Sequence, residues 1–75
     1  MEIKTMREKA LEKVFKGYGR AAGYAAKRNW AEADDQDVKA EHIVEAYVAI
    51  GLMTYEEGTQ QKIKAYSEYG IKVTA

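Results

Sequence analysis

Five basic side chains fall in one line along the first amphipathic segment, and a line of cations can bind a phosphate backbone or an acidic protein surface. Spacings of four, three, four and seven residues place them within about 40° of one direction on a helix, opposite the apolar positions. We call this line the basic ridge, and its members are Lys9, Lys13, Lys16, Arg20 and Lys27. Glu12, four residues before Lys16, also fits a face that is merely solvated.

Tyrosine is the other residue type that could bind a partner, with six copies in 75 residues. A tyrosine buries its ring and keeps a polar tip, which suits a half-exposed binding surface and equally the edge of a small core. Tyr24 lies beside the ridge, where it could stack on a base. We expect Tyr55, Tyr66 and Tyr69 also to contact a partner.

The residue sets of common catalytic and metal sites are missing. The sequence has no cysteine, no glycine-rich phosphate loop and no Gly-x-Ser-x-Gly elbow. His42 is the only histidine, and although aspartates lie nearby, no second histidine or cysteine completes a transition-metal set. No glycine occupies the sixth position of a calcium loop. We expect no enzyme activity, no bound metal and no cofactor.

The formal charge is zero, but the charges are unevenly distributed. The first 30 residues hold eight basic and three acidic side chains, and the remainder holds four basic and nine acidic ones. Two explanations are open. Either the basic helix packs beside acidic helices and the halves neutralise each other, or the ridge awaits an acidic partner.

The length of 75 residues predicts one domain, residues 1–75, near the lower size at which one hydrophobic core holds a fold. A core this small makes a homodimer a further expectation. No apolar run approaches the roughly 20 residues that span a bilayer, and the N-terminus lacks the apolar segment of a secretory signal. We expect a cytoplasmic protein with no membrane partner.

Three helices in an all-α domain have to position these residues. The apolar periodicity predicts a first helix from about Lys4 to Arg28, a second from roughly Val38 to Ile50, and a third that follows Thr54 and runs to about Tyr69. Residues 29–37 lose the apolar rhythm and are predicted to be the main connection. The expected inner face of the first helix, with Phe15 at its edge, is Ile3, Ala10, Leu11, Val14, Tyr18, Ala21, Ala22 and Ala25.

A tight glycine corner joins the second and third helices. Gly51 suits the left-handed position of a Schellman motif, and Thr54 with Glu57 fits a capping box. Gly70 repeats the stop signal. The corner has the outline of a DNA-reading helix-turn-helix, but Glu56 and Glu57 at the start of the third helix would repel DNA. We therefore expect an ordinary helical hairpin.

The apolar patterns also predict how the helices pack. The second helix is apolar over an arc of about 200°, so we expect it in the middle of the domain. The expected inner stripe of the third helix is Tyr55, Thr59, Ile63 and Tyr66, with Tyr69 at its margin. A strip of small residues on the first helix, Gly19, Ala22, Gly23 and Ala26, allows another backbone to approach closely, and we expect that contact within the domain.

These observations favour a non-catalytic accessory or inhibitory factor that docks on another protein through its charged and tyrosine-bearing surfaces. Sequence-independent nucleic-acid binding by the ridge is one alternative. A self-assembling structural subunit is another. Small chains of this character often serve as regulators in phages or other mobile elements, which suggests such a source.

Overall fold

Each helix of the protein begins at a residue whose side chain caps it. The computed structural model describes residues 4–73, and its helices are α1 (Met6–Ala26), α2 (Trp30–Ala49) and α3 (Tyr55–Ser67). The side chains of Thr5, Asn29 and Thr54 accept hydrogen bonds from backbone N–H groups of the first turns. There is no strand in residues 4–73, and the all-α three-helix fold is confirmed.

The second helix begins at Trp30 and not near Val38, so the predicted connection over residues 29–37 is wrong. The inward positions of this added stretch are Ala33, which is buried, and Asp37, which is partly buried. They continue the inner face of the helix at helical spacing. Because one is a small residue and the other a carboxylate, the stretch shows no apolar rhythm in the sequence.

The glycine corner between α2 and α3 is confirmed. Gly51 has a φ of 75°, and the N–H of Leu52 donates to the carbonyl of Tyr47 at 2.9 Å, as in a Schellman motif. The capping box follows, because the N–H of Thr54 donates to the Glu57 carboxylate at 2.9 Å and the Glu57 N–H donates to the Thr54 hydroxyl at 3.1 Å. These bonds fix the angle at which the chain enters α3.

The end of α1 has the same hydrogen-bond pattern, with an arginine in the place of glycine. Arg28 has a φ of 59°, and the N–H of Asn29 donates to the carbonyl of Tyr24 at 3.0 Å. The helix therefore ends at Ala26 and excludes Arg28. Gly70, at a φ of 72°, closes α3 in the expected way.

The central helix is α1, which packs extensively against both other helices, whereas α2 and α3 contact each other much less. The prediction that α2 lies in the middle is wrong. Small residues let α1 approach its neighbours closely, and a Cβ added to Gly17 would lie 3.2 Å from the Cβ of Ala40. Val38 on α2 and Ile50 just after its end stay 47% and 69% exposed, so the wide apolar arc predicted for this helix is only partly covered.

The inner face of α1 is as predicted within the described residues. Six of its positions are buried, Leu11 and Phe15 pack against the core, and the helix runs without a break past its three glycines. The buried six are Ala10, Val14, Tyr18, Ala21, Ala22 and Ala25. Ile3 lies outside the described residues, as do Thr74 and Ala75 of the tail.

The inner face of α3 differs from the prediction. Its buried residues are Gly58 and Ala65, whereas Tyr55 and Thr59 are exposed. A Cβ added to Gly58 would lie 2.6 Å from a methyl carbon of Val44, so α3 crosses α2 at a contact that only glycine allows. The closest contacts of α3 are made by its smallest residues. The positions of its large side chains therefore do not predict which face of the helix is buried.

Candidate binding surface on the first helix

The basic ridge lies opposite the buried face of α1, and all five of its side chains are exposed. Lys16 pairs with Glu12 at 3.3 Å, which is the predicted pairing over one helical turn. The other four ridge cations form no ion pair within residues 4–73. These four are Lys9, Lys13, Arg20 and Lys27.

Ion pairs between the helices use other residues. Arg7 pairs with Glu57 and joins α1 to α3, and Lys62 pairs with Asp37 at 3.4 Å and joins α3 to α2. Neither pair involves a ridge side chain. Internal neutralisation was one of the two explanations for the uneven charges, and in the part of the chain that the structure describes it does not account for the ridge.

One carboxylate stands within the ridge. Hydrogen bonds from Lys4, first, and from Lys16 hold the pKa of Glu12 below its ordinary value, so Glu12 is ionised at neutral pH. Together with Lys9 and Lys13, Glu12 and Lys16 surround a shallow depression of about 200 Å³. The N-terminal half of the ridge is therefore positive with one fixed negative charge.

The C-terminal half of the ridge opens into a groove of about 480 Å³. We call it the tyrosine groove. Three ridge cations, two tyrosines and two glycines line it: Lys16, Arg20, Lys27, Tyr24, Tyr69, Gly19 and Gly23. The structure thus brings together five of the residues that we expected to contact a partner, from α1 with its C-terminal end and from the turn that follows α3.

Two elements hold the tyrosines of this groove. Tyr24 belongs to α1, and Tyr69 follows α3 just before the left-handed turn at Gly70. A Cβ added to Gly23 would lie 3.5 Å from the hydroxyl oxygen of Tyr69, whereas nothing lies within 4 Å of the same position at Gly19. At Gly23 the strip of small residues lies against a side chain of the same domain and not against another backbone, and at Gly19 it is open. The sequence indicated the strip but not its place in a groove.

The other two tyrosines of the expected contact set lie elsewhere. Tyr66 is half-buried between the helices, and its hydroxyl donates to Asp37 at 2.7 Å. Burial, followed by this hydrogen bond, raises the pKa of Tyr66 above its ordinary value. Tyr55 is 59% exposed and lines a separate cavity of about 230 Å³ that also includes Lys62. Neither side chain extends the ridge.

Partly buried polar side chains form a cluster between α2 and α3. The Lys62 ammonium lies 5.6 Å from the centre of the Tyr18 ring and 5.9 Å from that of Tyr66, within cation-π range. Asp37 accepts from both Lys62 and Tyr66. This cluster joins α2 to α3, so we assign it a structural role.

Trp30 is an exposed aromatic residue that the sequence did not single out. It opens α2 and is 61% exposed. An exposed tryptophan is typical of contact surfaces. The sequence pattern predicts a connection at Trp30. Because exposed side chains are ordinary in connections, exposure there does not mark a residue as a contact residue.

The described residues hold no cluster of three or more histidine, aspartate or glutamate side chains that could bind a metal ion. His42 is exposed on α2. None of the helices within residues 4–73 has the length and apolar character that crossing a membrane requires.

Comparison of the chain with protein-family models, with curated proteins and with solved structures finds no match.

Proposed function

We propose that this protein is a non-catalytic accessory or inhibitory factor that binds an acidic surface of a partner protein through the basic ridge and the tyrosine groove. The observation that carries the proposal is the row of exposed cations, four of them without an ion pair in residues 4–73, which ends in a groove flanked by two tyrosines.

The two parts of this surface contribute differently to binding. Exposed cations raise the rate of encounter with an acidic partner and set its orientation, but each adds little affinity. Tyrosine and arginine are the residues that most often dominate the energy of an interface. We therefore expect the ridge to attract the partner and the groove, with Arg20, Tyr24 and Tyr69, to hold it.

The charges elsewhere favour a folded protein over a nucleic acid as the partner. Asp34, Asp35 and Glu41 on α2 are exposed, and the whole chain has no net charge, so no overall positive field draws a polyanion to it. A long polyanion lying along the ridge would also pass the ionised carboxylate of Glu12. A protein with a localised acidic patch can engage the ridge and avoid that carboxylate.

The test is affinity capture from a nuclease-treated native lysate with matched variants. The variant Lys13→Gln/Arg20→Gln removes two ridge cations that have no ion pair in residues 4–73. The control Lys64→Gln/Lys72→Gln removes two exposed cations outside the ridge. We expect a stoichiometric protein partner with the wild type and with the control, and its loss with the ridge variant. Equal capture by all three proteins would contradict the proposal.

Sequence-independent nucleic-acid binding is the second candidate, favoured by the length of the ridge. From Lys9 to Lys27 the helix rises about 27 Å, at 1.5 Å per residue. If the four cations without an ion pair each neutralise one phosphate, the log-log salt slope on duplex DNA is about −3.6, and if Lys16 joins them it is about −4.5. Fluorescence anisotropy with a random duplex at several salt concentrations measures this slope, and no binding at low salt removes the candidate.

We propose the cytoplasm as the compartment where the protein and its partner meet. The absence of cysteine is compatible with this compartment. Cell fractionation, followed by detection of the captured partner in the same fraction, checks the assignment.

A further inference from the structure

The volume and the lining residues of the tyrosine groove suit a site that binds one side chain of a partner. Such a site is more specific than a general attraction for acidic surfaces. The groove is open to solvent and has a volume of about 480 Å³, which leaves room for one side chain. Its floor includes the bare backbone of Gly19, where nothing lies within 4 Å of the Cβ position. A side chain at position 19 would occupy this space, so the glycine keeps it open.

The sides of the groove favour an aromatic occupant. Tyr24 and Tyr69 flank it from two different elements. Tyr69 remains 51% exposed, and its hydroxyl end lies beside Gly23. Two tyrosine rings at one groove can offer edge or face contacts to a third ring, and such contacts are specific in geometry as well as apolar.

The rim of the groove favours an acidic segment around that aromatic group. Lys16, Arg20 and Lys27 line the groove, and neither Arg20 nor Lys27 forms an ion pair within the described residues. Carboxylates on either side of an inserted ring would lie within reach of these cations. A cation that lies beside an inserted aromatic ring also attracts the face of that ring.

We propose that the tyrosine groove binds an aromatic side chain, tryptophan, phenylalanine or tyrosine, carried by an acidic segment of the partner protein. The ring lies over Gly19 between Tyr24 and Tyr69, and the flanking carboxylates contact the three cations. The inference rests on the proposed function, since it specifies the partner segment that the same surface takes.

The test uses two short peptides rich in glutamate and glycine that differ only in one central residue, tryptophan or alanine. Isothermal titration calorimetry measures the affinity of each for the full chain. We expect the tryptophan peptide to bind roughly tenfold more tightly, the scale of one well-placed aromatic contact. Tyr24→Ala and Tyr69→Ala should each remove most of this difference while leaving the alanine peptide nearly unaffected.

Two further variants separate the groove from general effects. Tyr55→Ala removes an exposed tyrosine outside the groove and should keep the tenfold difference. Gly19→Leu fills the open floor and replaces a poor helix former with a good one, so it should fold and lose the difference. Circular dichroism checks the helical content of every variant before the titrations.

Each result decides a different statement. Equal affinity for the two peptides overturns the aromatic site and leaves the proposed function intact. Binding of neither peptide overturns the aromatic site, and the lysate capture then decides the proposed function separately. A single-stranded oligothymidylate that displaces the tryptophan peptide more effectively than excess alanine peptide does would assign the groove to nucleobases and overturn the inference.

Discussion

At the end of α1, a large side chain occupies the left-handed position that glycine holds at the ends of α2 and α3. Arg28 has a φ of 59°, where a Cβ is crowded by the following carbonyl at a cost of about 1–2 kcal/mol. We expect Arg28→Gly to be about 1 kcal/mol more stable than Arg28→Ala, because both lose the guanidinium and only glycine relieves the crowding. Urea denaturation followed by circular dichroism measures the difference.

The comparison between the two Arg28 variants also tests the helix end itself. If the glycine and alanine variants unfold at the same urea concentration, the left-handed turn is not maintained in solution. Replacing Arg28 by glycine would then not raise the free energy of unfolding above that of the wild type.

Two glycines should respond to alanine in opposite directions. A Cβ on Gly58 would lie 2.6 Å from Val44, so Gly58→Ala forces α3 away from α2 and should cost about 1–3 kcal/mol. A Cβ on Gly19 meets nothing within 4 Å, so Gly19→Ala should raise the free energy of unfolding by about 0.5–1 kcal/mol through helix propensity alone. Thermal unfolding of both variants beside the wild type checks the signs. A stabilising Gly58→Ala would contradict the packing described for α3, and a destabilising Gly19→Ala would contradict the open space at Gly19.

At the scale of the elements, the corner between α2 and α3 could be predicted from the sequence, whereas the start of α2 at Trp30 and the packing partners could not. Gly51, Thr54 and Glu57 act locally, through bonds to their own turn, so their roles follow from sequence spacing. The choice of central helix depends instead on how closely two backbones approach. Large apolar residues drew attention to α2, whereas the closest contacts use Gly17 and Gly58.

The candidate site shows the same division. The ridge follows from helical periodicity alone, and all its members are exposed as expected. The groove needs Tyr69 to reach α1 from a different segment, and this depends on the tertiary arrangement. Tyr66 has a similar place in the sequence, yet its hydroxyl bonds to Asp37 between the helices. No local pattern distinguishes these two tyrosines.

The cluster around Asp37 should stabilise the pairing of α2 with α3. Its carboxylate accepts from the Tyr66 hydroxyl at 2.7 Å and from the Lys62 ammonium at 3.5 Å. Asp37→Ala removes both bonds and should lower the free energy of unfolding by about 1–3 kcal/mol. Asp35→Ala, which removes an exposed pair with Lys39 on one helix, should cost no more than about 0.5 kcal/mol. If the two variants lose equal free energy of unfolding in urea denaturation, the bonds of Asp37 do not stabilise the pairing of α2 with α3.

Alkaline pH should weaken the same region. Burial, with Asp37 and Glu41 nearby, raises the pKa of Tyr18 from 10.0 to about 12, and burial with the Asp37 bond raises the pKa of Tyr66. The folded state holds both protons more tightly than the unfolded chain, so their contribution is complete below pH 10. The Tyr18 contribution is lost as the pH rises through about 12, and the Tyr66 contribution is lost at higher pH still.

The measurement is the unfolding midpoint as a function of pH, with Tyr66→Phe and Tyr55→Phe as matched variants. Tyr66→Phe has one fewer buried proton to lose and should show a shallower alkaline decline from its own neutral value. Tyr55→Phe, at an exposed site, should follow the wild-type profile. An alkaline decline that is identical in all three proteins would assign the loss to other groups.

At the scale of the whole molecule, the position of the ridge carries a cost in stability. Lys9, Lys13, Lys16 and Arg20 follow one another at spacings of three and four residues, and like charges at these spacings repel. Most of the acidic side chains that could relieve this repulsion lie on other elements. Two of them, Glu57 and Asp37, pair with Arg7 and Lys62 instead. Sites that cost stability and serve no internal contact are often functional.

Reversing one charge should therefore stabilise the fold and weaken partner binding together. Lys13→Glu turns the repulsions with Lys9 and Lys16 into attractions, which should raise the free energy of unfolding by about 0.5–1 kcal/mol. It also places a carboxylate in the middle of the proposed interface, so capture of the acidic partner should fall. Lys39→Glu is the control, because it replaces the pair with Asp35 at 3.1 Å by a repulsion and should lower stability while leaving capture unchanged.

The Lys13→Glu variant separates a functional ridge from a solvated one. Only in a functional ridge does it raise the free energy of unfolding and lower the capture of the partner. Urea denaturation gives the first quantity, and the amount of partner recovered on immobilised variants gives the second. If Lys13→Glu gains stability and captures as much partner as the wild type, the ridge is an ordinary exposed face and the interface lies elsewhere. If it loses both stability and binding, its cations do not repel as the structure implies, and lost folding would then account for the lost binding.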